Sequence, residues 1–306
     1  MKSNSNIPWM LFVVFFILVT SIIITGVYYY LSQDKKIKAD AHNNLAVIAD
    51  LKIGQITNWR NEREGDALII QNTTGIARLV KNYIETKSHE EELKRWAAAF
   101  CEHKGYSSAT ILDARGATRF AYGKGGNKMG QVGYRLLEDV LKQKKFALSD
   151  LHISSVTKKV TIDLLVPLIL WDQKDHPVAG VFLFKVDPYK ILYPLLQSWP
   201  TPSPTAETLL IRREGNEVVY LNELRHKKAS ALALRLPIAR KDLTAAMAVR
   251  GAEGMVEGVD YRGVPVLAAI RKVPNSPWFM IAKVDKAEVY DPLHHELLLA
   301  AFVTAL

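Results

Sequence analysis

Cysteine is almost missing from this 306-residue chain, in which Cys101 stands alone. An oxidising compartment favours paired cysteines, but a chain that is 49% hydrophobic buries a core large enough to need none. Proline is absent between Pro8 and Pro167, so no forced break interrupts helices in that half of the chain. Charge is absent between Lys2 and Asp34.

Catalytic spellings are scarce. Ser155, Val156, Thr157 and Lys158 satisfy S-x-x-K, but this stretch lies among Ser, Thr and Lys between two strand-like runs. No S-D-N or K-T-G accompanies it, so it reads as a turn. The glycine-rich residues 123–130 (GKGGNKMG) match neither phosphate-loop spelling and read as a loop. His294 and His295 are neighbours that would point about 100° apart on a helix, without ligand spacing to a carboxylate. No nucleophile, base and orienter can be assembled, and neither a cofactor nor a metal is expected.

What is present begins with residues 8–30 (PWMLFVVFFILVTSIIITGVYYY), which as a helix of about 1.5 Å per residue would cross a hydrocarbon core of about 30 Å. A cleaved leader is the alternative. Its apolar region is usually about 7–15 residues, followed by a small-x-small site; here three tyrosines follow, as in an aromatic belt. The reading is an uncleaved membrane anchor behind a short tail, 1–7. The apolar, uncharged residues 297–306 look like a second span cut short, so 294–306 is expected to begin one. Two spans put residues 31–296 on one side of the lipid bilayer. Lys35, Lys36 and Lys38 just after the first span argue for the cytoplasmic side, but large loops are translocated largely regardless of charge, and the extracytoplasmic side is preferred. The net charge of +9 is scattered along the chain, which fits a solvated surface near anionic head groups and gives no nucleic-acid partner.

After the anchor, Ile37, Ala41, Leu45, Ile48, Ile53 and Ile56 recur at helical spacing and predict a long helix. Its apolar stripe has to be covered by the chain's own domain or by a second copy of it. On that helix Trp59, Arg60 and Arg63 form a compact set; stacking and an ion pair explain them, and a pocket or dimer seam is the other use of the same side chains. From residue 107 the pattern changes to short strands with turns. Residues 109–112 and 118–122 flank a hairpin at Gly116, residues 133–144 read as a helix, and 160–170 and 178–186 read as strands.

The order then repeats. Lys185, Val186 and Asp187 lie over Lys283, Val284 and Asp285, with Pro194 and Leu195 over Pro292 and Leu293 in the same register. Gly116 and Gly215 repeat at nearly that spacing within strand-turn-strand segments. Two matched segments argue for duplicated modules, joined at the proline-rich residues 198–204. Asp187 and Asp285 sit at strand ends before helical segments, where an aspartate caps a helix for about 1 kcal/mol.

Anchor, long helix, two small α/β modules and a second span together resemble the double Cache sensors of bacterial histidine kinases, chemoreceptors and cyclic-dinucleotide enzymes. The resemblance covers nearly the whole chain, and its most specific parts are residues 48–63 (IADLKIGQITNWRNER) and 276–293 (SPWFMIAKVDKAEVYDPL). It implies an α+β fold of a long helix followed by two PAS-like modules with antiparallel sheets, flanked by transmembrane helices. The segments are then 31–105 (helical), 106–197 (distal module), 198–293 (proximal module). It further implies ligand sensing for an output domain beyond residue 306, histidine kinase first, and a homodimer through the long helix. A scaffold without ligand is the other reading. Family members that bind amino acids carry Arg-x-Trp-Tyr before the third strand of the distal module and an Asp closing its last strand. Residues 130–150 have no such segment, and Asp187 alone matches, so an amino acid is not implied.

The expected pocket lies in the distal module and takes a small-molecule ligand. It is framed by Phe120 and Tyr122 on the hairpin, Tyr134 on the helix, and His152, Asp163 and Asp187 near the strands, because pockets combine aromatic walls with a few convergent polar groups. Residues 232–259 of the second module contain no aromatic. For Asp187, capping and ligand contact weigh equally here.

Overall fold

The computed structural model describes residues 9–123 and 129–291. The expected second span at 294–306, the tail 1–7, the His294–His295 pair and most of the glycine-rich loop lie outside the described residues. The fold opens with α1 (Trp9–Gln71), one uninterrupted helix of 63 residues, about 95 Å long at 1.5 Å per residue. Its first turns are exposed and apolar, with Phe12, Phe16, Ile22 and Ile24 outward, and they are long enough to cross a membrane. The remainder of 31–105 is not a continuation of that helix. It folds back as α2 (Thr74–Thr86) and α3 (Glu90–His103).

The first sheet module follows: β1 (Tyr106–Leu112), β2 (Thr118–Gly123), α4 (Gln131–Gln143), β3 (Ala147–Leu148), β4 (His152–Ile153), β5 (Val160–Ile169) and β6 (Val178–Val186). A short helix, α5 (Leu192–Gln197), leads into the second: β7 (Glu207–Glu214), β8 (Glu217–Tyr220), β9 (Arg235–Pro237), α6 (Thr244–Val249), β10 (Gly254–Val259), β11 (Pro265–Lys272) and β12 (Trp278–Asp285).

The two sheets are separate and antiparallel. The first runs β2-β1-β6-β5-β3, with β4 also pairing β5; the second runs β10-β11-β12-β7-β8-β9. Read from the hairpin side, β8-β7-β12-β11-β10 repeats β2-β1-β6-β5-β3, so the duplicated sequence is a duplicated topology. The hairpin glycines are equivalent, Gly116 at φ +80 and Gly215 at φ +58, a region costly for any residue with a Cβ.

Each sheet is sandwiched. One face of the first carries Ile162, Leu164, Phe182 and Phe184 toward α1, α2 and α3; the other carries Leu165, Val181 and Leu183 toward Leu137 and Val140 of α4. The second presents Leu210, Leu267 and Met280 to α1, and Leu209, Ile270 and Ile281 to α6. The helix stripe is thus covered by the chain's own sheets.

Along α1, Leu45, Ala49, Lys52, Ile56, Trp59, Arg63, Asp66 and Ile70 are all buried, at alternating steps of four and three residues, the period of a helix lying against a long seam. Its contacts run in order. Lys38 pairs with Glu257 of β10, and Arg271 of β11 donates to Asp50 at 2.7 Å, both in the second module. Further up, Arg63 donates to the Lys104 carbonyl at 2.6 Å, and the Trp171 indole donates to the Gln71 carbonyl at 2.9 Å, both in the first. The second module therefore lies nearer the apolar amino-terminal turns.

Between them, Lys52 is 2% exposed and has no carboxylate partner among the described residues. Its ammonium donates to the Leu195 and Ser198 carbonyls and to Ser198 Oγ at 2.9 Å, capping the carboxyl end of α5. Burial lowers its pKa, while the negative end of the α5 dipole favours the charge. Lys52→Met keeps the packing volume but leaves buried carbonyls without donors, at about 1–3 kcal/mol per group. We expect a lower melting temperature for this variant, with circular dichroism at 20 °C below the transition unchanged; an unchanged midpoint would show that the cap carries no stability.

Candidate functional site

The strand ends of the first module that face the second module enclose a cavity of about 550 Å³. Its walls come from the end of α3 (Cys101, Glu102), the start of β1 (Tyr106, Ser107), the end of β2 (Tyr122, Gly123), the approach to β5 (Thr157, Lys159, Thr161) and the end of β6 (Lys185, Asp187, Lys190). Two of the expected residues, Tyr122 and Asp187, are in this wall. Tyr122 turns its hydroxyl toward Glu102 at 3.5 Å. Asp187 accepts the Tyr189 amide at 3.0 Å, so it closes a turn and lines the cavity at once. Asp285 differs from it: Arg262 donates to its carboxylate at 2.5 Å, and Lys283 lies 3.4 Å away. The two repeated aspartates do not share one job.

Phe120 and Tyr134 do not line the cavity. Strand parity turns Phe120 to the helix side, where its ring meets Tyr83 edge-on at 5.8 Å. Tyr134 is 55% exposed, because the inward face of α4 is taken by Gly133, Leu137 and Val140.

His152 and Asp163 do come together, their Nε2 and Oδ2 3.6 Å apart. His152 Nδ1 lies 3.0 Å from the Asp150 carbonyl, which can only accept, so that nitrogen carries the proton. Asp163 is 1% exposed, held by Ser149 Oγ accepting its amide at 2.8 Å, and its Oδ1 has no hydrogen-bond partner among the described residues.

Lys185, Ser108 and Tyr106 were not among the expected residues. Strand register places Ser108, Lys185 and Asp163 in one row across β1, β6 and β5, on the α4 face. Lys185 is 4% exposed, and burial lowers its pKa against the raising effect of Asp163. Ser108 Oγ is buried without a partner among the described residues. Tyr106 donates to Asp66 at 2.9 Å, beneath the Arg63 guanidinium. A signal for Lys185 was on the page: it is the one charge in the apolar run 178–186 (VAGVFLFKV). Arg60 stacks on Trp278 of the second module at 5.2 Å, and Arg63 belongs to the Tyr106 and Lys104 contacts, so the Trp59, Arg60 and Arg63 set serves docking of the modules. The S-x-x-K stretch is a turn, with Lys158 at φ +58 and Ser154 Oγ accepting the amides of Val156 and Thr157.

No family model and no curated protein matches the sequence. Solved structures do match. The ligand-binding domain of the Campylobacter jejuni chemoreceptor Tlp3, in complex with 4-methylisoleucine, is similar over 83% of this chain and 94% of that one, with TM-score 0.60 and 10% identity. The ligand-binding domain of Mlp24 with asparagine is similar over 85% and 98%, with TM-score 0.54 and 12% identity. The ligand-binding domain of the Pseudomonas fluorescens chemoreceptor CtaA with L-serine gives 81% and 99%, TM-score 0.50 and 15% identity.

The chain has the double Cache fold.

Within this double Cache fold, a short loop of the cavity-bearing module docks on the second module. Asp150 accepts the Trp278 indole at 2.6 Å and Arg212 at 2.8 Å, and Arg212 also donates to the Leu151 carbonyl at 2.8 Å. His152 follows immediately and reaches Asp163. Burial alone would lower the His152 pKa; Asp163 and the Asp150 carbonyl more than offset it and raise it above the usual 6.5. A raised folded-state value means that protonated His152 stabilises the fold fully below about pH 6.5 and that this is lost as pH rises through the folded value. Melting between pH 5 and pH 8 is therefore expected to show a falling midpoint that His152→Gln flattens; an identical pH slope in the variant would remove the His152–Asp163 contact as its cause.

Proposed function

We propose that this chain is the membrane-anchored, extracytoplasmic sensing region of a bacterial transmembrane receptor, and that the first module is its distal, ligand-binding one. The cavity carries this reading. It is a space of about 550 Å³ with aromatic and convergent polar walls, in the module farther from the apolar end of α1. The neighbours with the same fold are described as ligand-binding domains, two of them of chemoreceptors and in complex with L-serine or 4-methylisoleucine. We divide the chain accordingly into an anchor at 8–30, the helical segment 31–105, and the modules 106–197 and 198–293, ahead of a second span.

The route for a signal is mechanical. The helix α1 contacts both modules and the linker between them, and leads into the anchor; residues 286–291 begin a helix directly after β12. Ligand binding changes the output only if it favours one arrangement of these helices over another. Histidine-kinase and chemoreceptor outputs both fit this geometry, as does a cyclic-dinucleotide enzyme, and a homodimer through the long helix would couple two copies. The chain itself contributes sensing in this reading and no catalysis.

Topology and occupancy test it separately. A reporter enzyme fused after residue 250 is expected to be active only in the form that requires export, and cytoplasmic activity there would overturn the receptor orientation. Occupancy has a built-in probe in Cys101, the sole cysteine, which lines the cavity and whose thiol burial pushes up to about 11. Alkylation by a small maleimide at pH 8 is expected to be slow and to slow further with bound ligand, whereas equal rates with a compound that calorimetry shows to bind would place its site elsewhere.

A further inference from the structure

The loop that docks the first module on the second ends in a titratable group. Ser149, Asp150 and Leu151 join β3 to His152, the first residue of β4. Asp150 and Leu151 face the second module: the Asp150 carboxylate accepts the Trp278 indole at 2.6 Å and Arg212 at 2.8 Å, and the Leu151 carbonyl accepts Arg212 at 2.8 Å. Ser149 and His152 face β5 instead. The Ser149 amide donates to the Asp163 carbonyl at 2.8 Å, Ser149 Oγ accepts the Asp163 amide at 2.8 Å, and His152 Nε2 stands 3.6 Å from Asp163 Oδ2. The dock is therefore held from behind by the strand that carries Asp163.

These contacts decide which nitrogen titrates. Nδ1 keeps its proton, because the Asp150 carbonyl 3.0 Å away can only accept. Nε2 is then the nitrogen that gains or loses one. Protonated, it presents an N–H to the Asp163 carboxylate; neutral, it presents a lone pair to it. Asp163 has no room to withdraw: it is 1% exposed, its amide is tied to Ser149, and a Cβ on Gly133 of α4 would lie 3.6 Å from its Oδ2. The imidazole turns only by giving up the Asp150 carbonyl. Loss of the proton is thus relieved by movement of the loop.

We propose that the docking of the two modules responds to acidity through His152: protonated, it pins the Asp150 loop to β5 and so onto Arg212 and Trp278, and neutral, it releases that loop. As a second input to a receptor this switch rests on the ligand-sensing reading above; as a property of the dock it does not. The charges around His152 are Asp150 on its own loop, Asp163 on β5 with Lys185 beside it on β6, Arg212 and Glu214 on β7, and Arg60 of α1 over Trp278 of β12, while the charged residues of α4 are exposed. Burial opposes a charge on the ring, and Asp163 and the Asp150 carbonyl outweigh it, so the proton is held to above the usual 6.5. The pin is complete below about pH 6.5 and is lost as pH rises through the folded value.

Trp278 supplies the readout. In the full chain in lipid nanodiscs, with the tryptophan indole nitrogens isotope-labelled, Trp278→Phe identifies the N–H resonance at the dock, and its exchange with water relative to free indole gives its protection at each pH. Each tenfold difference in the proton affinity of His152 between docked and released loop is a tenfold change in the docking equilibrium, so protection is expected to fall by about tenfold between pH 5 and pH 8 while circular dichroism stays unchanged. His152→Gln keeps a permanent N–H donor toward Asp163 and is expected to stay protected throughout. Protection independent of pH in the parent, or an equal fall in His152→Gln, would overturn the inference. Should His152→Gln fail to fold, Asp163→Asn decides, since removing the carboxylate is expected to remove the pH dependence and its persistence would overturn the inference as well. None of these outcomes touches the sensing reading, which occupancy of the cavity tests by itself.

Discussion

A helix of 63 residues has no stability of its own that could hold two sheets in a fixed relation, so everything in this fold depends on the seam along α1. The seam is apolar at Leu45, Ala49, Ile56, Trp59 and Ile70, and charged at Lys52, Arg63 and Asp66. The apolar positions supply most of the driving force and tolerate small slips. The charged ones do not, because a buried ammonium or carboxylate moved by a few ångströms loses its partners. Lys52 against the end of α5, and Arg63 and Asp66 against Lys104 and Tyr106, therefore set where along the helix the linker and the first module sit.

That arrangement ties the cavity wall to the long helix. The cavity is bounded by Tyr106, whose hydroxyl donates to Asp66, so its wall is one contact from the helix. A second chain of contacts runs from Asp163 through His152 to the Asp150 loop, and from there to Arg212 and Trp278 of the second module. Toward the apolar end of α1, Glu257 joins Lys38 of α1 to Lys286 just after β12; these two lysines hold its carboxyl down to about 2. This pair of contacts is partly exposed and solvent-screened, hence weak.

The duplication shows what one topology can do with two different fillings. Around Lys283, the carboxylates of Glu207, Asp260 and Asp285 surround the ammonium. Around Lys185, the glutamate position is a serine and a cavity opens.

The sequence by itself determined the elements and their order: the uncharged start of α1, its stripe, the hairpins at Gly116 and Gly215, the strands ending in Lys-Val-Asp, and so the duplicated α+β architecture. These are written in periodicity and turn chemistry, which act over a few residues and need no distant partner. It also placed Tyr122, Asp187, His152 and Asp163 in the first module. Only the tertiary structure decided which of them share a space. Strand parity and register, set by pairing between residues far apart in sequence, turned Phe120 into the core and aligned Ser108 with Lys185 and Asp163, while the inward face of α4 left Tyr134 outside. The fate of the two lysines was likewise beyond local pattern. The Val-Asp that follows each is identical, and what distinguishes them is the partners on the neighbouring strands, Ser108 and Asp163 in one module, Glu207 and Ala268 in the other.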